Sequence, residues 1–387
     1  MEPTNDVQSV IKGKPKAVNV SSIERELTEL WRAAAEAAEE KSQPAVMRAC
    51  ALNLLVYFPN DLGAENVDDW IAQLMEQHPL RAIVMMAGDP SGESSLAAWI
   101  SAHCRRPTAE GKQICSEQIM LQATGDAIHE LPSTAVSLLA PDLPVILWWR
   151  GDPAFESEIF AKLIEMSDRV LLDSYGFRNP EAELFQVAKR VKDRSVPAAF
   201  SDLSWTRLTP WRELTAQFFD APNFRSSLAR INQVIVEYKA DDPVSPPNPV
   251  AAILIAAWLA SRLHWKPAPQ AYRVMGRHRV LNLSESGRRI IVELRAVPSP
   301  DGVAGDLVSL KLMEEGETGT AQFSISKTKD PRCAETCITG TGINPIQRTV
   351  RMEVGSELAL VGKELEILGH DATYEEALEI VDWVARL

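Results

Sequence analysis

The sequence predicts an α/β protein: an N-terminal, largely parallel sheet with flanking helices, followed by a C-terminal α+β domain with antiparallel strands. Two observations predict it. Apolar runs at 45–58, 80–87, 144–150, 169–174 and 231–238 alternate with helical stretches near 64–77, 127–139, 156–166 and 180–191, as in a parallel layer whose crossovers are helices. Beyond residue 250 the texture changes to short alternating runs (RVLNLS, RIIVELRAV, LVSLKL, AQFSIS, QRTVRMEV) set apart by Gly, Pro and Asp, the pattern of antiparallel strands with one solvated face.

Residues 1–20 have no apolar stretch bounded by a small-residue cleavage site and read as a flexible arm, so a cytoplasmic location is expected. A helix over about 22–40 follows, with Ser21 and Glu24 as a capping box and Ile23, Leu27, Leu30, Trp31, Ala34 and Ala38 on one face. LAAWISAHC and ICSEQIMLQATG read as a hairpin-like antiparallel pair. In VILWW, adjacent Trp148 and Trp149 must point to opposite faces, which makes that strand central. In SDLSWTRLTPWRELTAQFFD, strand alternation places Leu203, Trp205 and Arg207 on one side. Thr209-Pro210 then opens a helix with Trp211, Leu214 and Phe218 on one face and Arg212, Glu213 and Gln217 on the other. The proline-rich segment 241–249 is the most visible linker, dividing an α/β domain at 21–240 from an α+β domain at 250–387. VAAILIAAWLA is a buried helix too short to span a bilayer. The chain closes with helices at about 357–368 and 374–386, the second with Thr373 and Glu376 as its capping box.

The net charge of −13 argues against nucleic acid as a partner, because that affinity comes from neutralising phosphates. The basic run from Lys266 to Arg295 reads as a solvated strand face. No dinucleotide fingerprint, Walker loop, nucleophile elbow or HExxH motif occurs, and no cofactor is expected. His78, His103, Cys104 and Cys115 match no zinc spacing and read as hydrogen-bonded histidines and plain thiols, with no metal expected. Cys333 and Cys337, in PRCAETC, differ: four residues apart, they reach disulfide range if the segment is helical or tightly turned, with Lys327, Lys329 and Arg332 favouring thiolate. They are either ordinary thiols or a redox switch.

Ligands of open parallel sheets bind beyond the C-terminal strand ends. There the sequence places Arg150 and Asp152, Asp173 and Ser174, and Asp202 with Arg207. Converging, they suit an enzyme acting on a sugar or phosphosugar; apart, they are helix caps and ion pairs.

The ordered set HPLRAIVMM, CSEQIMLQATG, DLPVILWWRG, DRVLLDS, DLSWTRLTPWRELTAQFFD and AAWLASRLHW resembles the glucose-6-phosphate dehydrogenase assembly protein family, OpcA. The resemblance implies a non-catalytic assembly factor and allosteric activator of glucose-6-phosphate dehydrogenase in the oxidative pentose phosphate pathway. It also implies thioredoxin-dependent control, since Cys333 and Cys337 match a C-terminal cysteine pair of longer members. Under that reading Arg150, Arg207, Trp211, Arg212, Glu213 and Arg262 are the candidates for contacting the partner enzyme, because Arg and Trp anchors are enriched at interfaces. The resemblance also implies, as the alternative to the proline-rich linker, a division of the chain near residue 160. The sugar or phosphosugar enzyme is the competing reading.

Overall fold

The computed structural model describes residues 11–12, 16–40, 46–60, 63–105, 113–193, 198–240, 246–316 and 319–386. Residues 1–10 and 13–15 of the expected arm, and 241–245 of the expected linker, lie outside the described residues.

The chain opens with β1 (Ile11–Lys12), β2 (Lys16–Val18), α1 (Ile23–Glu40), β3 (Val46–Arg48), β4 (Leu52–Phe58), α2 (Val67–Gln77) and β5 (Leu80–Ala87). It continues through β6 (Ser95–Arg105), β7 (Gln113–Thr124), α3 (Leu131–Ser137), β8 (Val145–Trp149), α4 (Glu158–Glu165), β9 (Arg169–Leu172), α5 (Pro180–Asp193) and β10 (Ala199–Asp202). The first sheet has the order β1-β6-β7-β5-β4-β8-β9-β10, with β2 on β6 and β3 on β7. The neighbours β7-β5-β4-β8-β9 are all parallel, and β6 joins β7 antiparallel, as the sequence predicts. The single run expected at 45–58 is two strands: β3 pairs with β7 at Gln113–Cys115, whereas β4 runs between β5 and β8. Every residue of β4, β5 and β8 is buried, which is why these runs carry no polar alternation.

The rest of the chain forms α6 (Leu203–Arg207), α7 (Thr209–Gln217), α8 (Pro222–Arg225), β11 (Ile231–Lys239), α9 (Val250–Arg262), β12 (Lys266–Met275), β13 (His278–Glu285), β14 (Arg288–Val297) and β15 (Leu307–Gly316). Then come β16 (Gly319–Lys327), β17 (Cys333–Gly340), β18 (Ile343–Arg351), α10 (Glu357–Leu365) and α11 (Ala372–Ala385). The second sheet has the order β12-β13-β14-β11-β15-β16-β17-β18 and is antiparallel except where β11 meets β14. Here β11 corrects the sequence reading, which placed 231–238 in the parallel layer. Its Val234, Val236 and Tyr238 are fully buried, while on the other side Gln233 and Glu237 are half-exposed around Ile235, which is 8% exposed. That one-sided pattern belongs to a sheet packed on one face only.

Both expected capping boxes are corrected too. Asn19 caps the 3-10 turn before α1 by accepting from the Ser21 N–H, and Glu24 pairs with Arg81 at 2.8 Å instead. Asp371 caps α11 by accepting from the Thr373 and Tyr374 N–H groups. Asp and Asn are as strong at this position as Ser or Thr.

The described residues pack as two units, one running up to Leu172 and taking in 198–200 and Val361–Gly369, the other holding the remainder. The break in packing thus falls after Leu172. In the second unit, α11 packs against α5 and α9, and α9 lies on β11 and β14. No described helix is long and apolar enough to cross a membrane.

Candidate functional site

The site begins where β10 ends. Asp202 closes the strand and turns the chain straight into α6, because its carboxylate accepts from the Ser204 N–H at 2.8 Å. The same carboxylate accepts from the Ser174 N–H at 3.1 Å, the Ser174 hydroxyl and the Tyr374 hydroxyl at 3.4 Å. Burial pushes this acid up to about 6, and the neighbouring charge of Asp173 adds to the shift while the Ser174 and Ser204 hydrogen bonds oppose it.

Asp173 caps the short turn Ser174–Gly176 and receives both terminal nitrogens of Arg207, at 2.6 and 2.7 Å. This is the bidentate geometry that makes Arg–carboxylate pairs strong and directional. Trp205 is buried, donates from Nε1 to Asp371 at 2.8 Å and lies 5.3 Å from the Tyr374 ring. The Arg212 guanidinium sits 3.6 Å from the Trp205 ring centroid and donates to Thr209 at 2.9 Å. Leu203, Trp205 and Arg207 therefore do not share a strand face, as alternation had predicted: Asp202 is an N-cap, and a cap ends a strand. The reading of α7 agrees with the structure, with Trp211, Leu214 and Phe218 buried and Glu213 exposed.

The partner-contact candidates thus separate. Arg207 is held by Asp173 and Trp211 is 2% exposed, so neither is presented outward. Arg212 is half-exposed, Glu213 is exposed, and Arg262 is exposed and paired with Glu376. Arg150 stacks over Trp148 and Trp70, 4.7 and 5.2 Å from their centroids. The basic run is not a bare solvated face: Arg279 pairs with Glu181, Arg288 with Glu285 and Arg295 with Glu293, at 2.7, 3.0 and 2.6 Å.

The cysteines are corrected in both directions. Cys333 and Cys337 are free and lie in extended β17. At about 3.3 Å per residue, their Cα atoms are roughly 13 Å apart, beyond the ~7 Å that a disulfide tolerates. An intact β17 therefore cannot bridge them. Cys104 and Cys115, read as plain thiols, face each other across β6 and β7 and form a disulfide with Cα atoms 4.0 Å apart. His103 is hydrogen-bonded to Gln118 at 2.8 Å and Ser101 at 3.2 Å. Among the described residues no group of three or more His, Cys, Asp or Glu is placed to hold a metal ion.

Two features escaped the sequence. One is a buried cluster on Glu117, which binds Arg81 at 2.8 Å, Trp31 at 2.5 Å and Arg48. Its only signal was a lone Arg in LRAIVMMA and a lone Glu in CSEQIMLQATG. The other is the outer face of the second sheet, where the inter-strand register aligns Glu293, Ile235, Lys311, Ser324, Cys337 and Gln347 in one row. The next row is Arg295, Glu237, Ser309, Ser326, Glu335 and Thr349. At the centre of the face Lys311 pairs with Glu237 at 3.5 Å beside buried Ile235 and Ser309, and on the neighbouring strands Ser324, Ser326 and Cys337 are half-exposed.

Two OpcA family models match in tandem. They describe the N-terminal domain, matched over residues 72–189, and the C-terminal domain, matched over residues 198–378, of a "Glucose-6-phosphate dehydrogenase subunit". The chain belongs to the OpcA family. Two relatives carry the name "Putative OxPP cycle protein OpcA". The one from Synechocystis sp. is 31% identical to this OpcA-family chain over 96% of it and 77% of the relative. The one from Nostoc punctiforme is 29% identical over 84% and 68%. Among solved structures, a 3-ketoreductase of Actinomadura kijaniata aligns with a TM-score of 0.46 at 10% identity, covering 87% of this chain and 96% of that one.

Proposed function

We propose that this OpcA-family chain is an assembly factor for glucose-6-phosphate dehydrogenase that acts in the oxidative pentose phosphate pathway and activates that enzyme allosterically. The observation that carries the reading is the tandem match of both OpcA models across the chain, together with relatives named for the OxPP cycle. The geometry at the strand ends favours it over sugar or phosphosugar turnover. Asp173 is engaged by Arg207, and Asp202 is enclosed by Ser174, Ser204 and Tyr374, so these carboxylates serve each other's surroundings.

The partner surface in this reading is the outer face of the second sheet. Eight strands at about 4.8 Å spacing and roughly 30 Å of length give it an area of about 1,000 Å², enough for the ~800 Å² per partner of a stable interface. Cys333 and Cys337 alternate onto that face with Glu335, opposite buried Ala334 and Ile338. Redox control enters the proposal through these two thiols acting singly at the interface: each exchanges with a low-molecular-weight disulfide to form a mixed disulfide and release one thiol, and the thioredoxin dithiol reverses this by exchange, itself becoming a disulfide. Half-exposed Arg212 and exposed Glu213 and Arg262 are secondary contacts.

The test mixes purified protein, oxidised or reduced, with glucose-6-phosphate dehydrogenase and follows enzyme size on a column and turnover. A shift to a larger species with raised activity is expected. If neither changes in either redox state, the proposal fails.

A further inference from the structure

Beside the Asp173–Arg207 pair the second unit encloses a cavity of about 250 Å³. Its floor is apolar, formed by Leu208, Trp211 and Met352, each 2% exposed. Its polar wall carries Arg207 and Lys327, each already tied to a carboxylate: Arg207 to Asp173, and Lys327 to Asp306 at 3.2 Å. Asp301 and Asp306 also line the wall, so that with Asp173 behind Arg207 the two cations stand against three carboxylates. At Gly305, φ is +92° and a Cβ would come within 3.1 Å of Asn248, which keeps the loop pressed against the start of α9.

This wall offers fixed acceptors beside fixed donors over an apolar floor. Hydroxyl groups, which donate and accept at once, match such alternation, and the C–H face of a saturated ring matches the indole and aliphatic floor. A phosphate would bring about −1.5 to −2 charge toward Asp301 and Asp306, where both lining cations are already neutralised by partners. The volume lies just below the ~300–1,000 Å³ of pockets for drug-sized ligands. We propose that the cavity binds a neutral, polyhydroxylated molecule of about monosaccharide size. Because Asp173 and Asp306 hold the two cations in place, the polar groups are ordered before the ligand arrives, which lowers the cost of binding.

The test is an NMR titration of tryptophan-labelled protein, with the Trp211 indole assigned through Trp211→Phe, against D-glucose, D-ribose, glucose 6-phosphate and inorganic phosphate. With about a dozen heavy atoms, a neutral sugar is expected to bind in the millimolar range and move the Trp211 signal saturably. Lys327→Met or Asp301→Asn should weaken binding about tenfold, Ala251→Leu, which fills the cavity, should abolish it, and Asp220→Asn, at an exposed position beyond α7 that does not line the cavity, should leave it unchanged. The proposal is overturned if no neutral sugar moves Trp211 in the wild-type protein, if phosphate or glucose 6-phosphate binds more tightly than the neutral sugars, or if a folded Ala251→Leu protein binds like wild type. No partner enzyme enters this titration, so its outcome is independent of the assembly reading.

Discussion

Asp202 stands beside Asp173, and the burial of Asp202 sets the acid chemistry of the corner. Asp202 is held at about 6 against an ordinary 3.8. Between those values the native state binds the proton that the unfolded state releases, so stability falls as pH rises from about 4 to 6 and is flat above. The change over that window is roughly 3 kcal/mol. Asp202→Asn removes it. Urea denaturation from pH 4 to 7 should therefore show the variant gaining about that much relative to wild type; a difference independent of pH would rule out Asp202 as the titrating group. Arg207→Ala leaves Asp173 beside Asp202 without its cation and should cost about 2–3 kcal/mol at pH 7, measured by the same denaturation. At this scale the sequence was half legible. Asp at strand ends announced caps and pairs: Asp202 is a cap, and Asp173 is a cap that also pairs with Arg207. Nothing local announced Tyr374 or Asp371, because their contacts to Asp202 and Trp205 span 172 and 166 residues.

Among the elements, long periodic runs were legible and boundaries set by distant partners were not. The helices α2, α5, α9 and α11 and the strands β4, β5, β8 and β9 fall where apolar periodicity placed them. The run at 45–58 broke in two because β3 has a different neighbour from β4. The cysteine readings failed for a related reason: spacing along the chain says nothing about whether the segment is helix or strand. A spacing of four closes to one turn in a helix but opens to about 13 Å in a strand. Conversely, Cys104 and Cys115 are eleven residues apart yet register-opposed across a hairpin. Closing a loop of that size should contribute about 2–3 kcal/mol. Cys104→Ser with Cys115→Ser should lose that amount, and reductant should lower wild-type stability equally while leaving the double variant unmoved. Alkylation in denaturant should label three of the five cysteines before reduction and all five after; five before reduction would refute the disulfide.

At the scale of the whole molecule, the question is how a chain whose strand-end charges are largely spent on one another influences another protein. Its net charge of −13 specifies no partner by itself. The outer sheet face has the features that charge lacks. It is broad, β16 contributes the short side chains of Ser324 and Ser326 to it, and a rigid sheet needs little ordering to dock, so most of the contact area goes into affinity. A face of this kind is sensitive to bulk at its centre, because shape complementarity fails when one long side chain stands out of a flat surface. Ser324 lies in the central row, between Lys311 and Cys337, with its side chain half-exposed. Ser324→Arg should leave folding intact, since surface substitutions usually change stability by about 0.5 kcal/mol or less. It should weaken association with glucose-6-phosphate dehydrogenase at least about tenfold, the size of one lost central contact. Glu213→Ala, on exposed α7, should weaken it by less than about threefold. Sedimentation of the mixed proteins measures both. If Ser324→Arg associates like wild type while Glu213→Ala does not, the partner surface is the α7 corner, and the two thiols of β17 lie away from it.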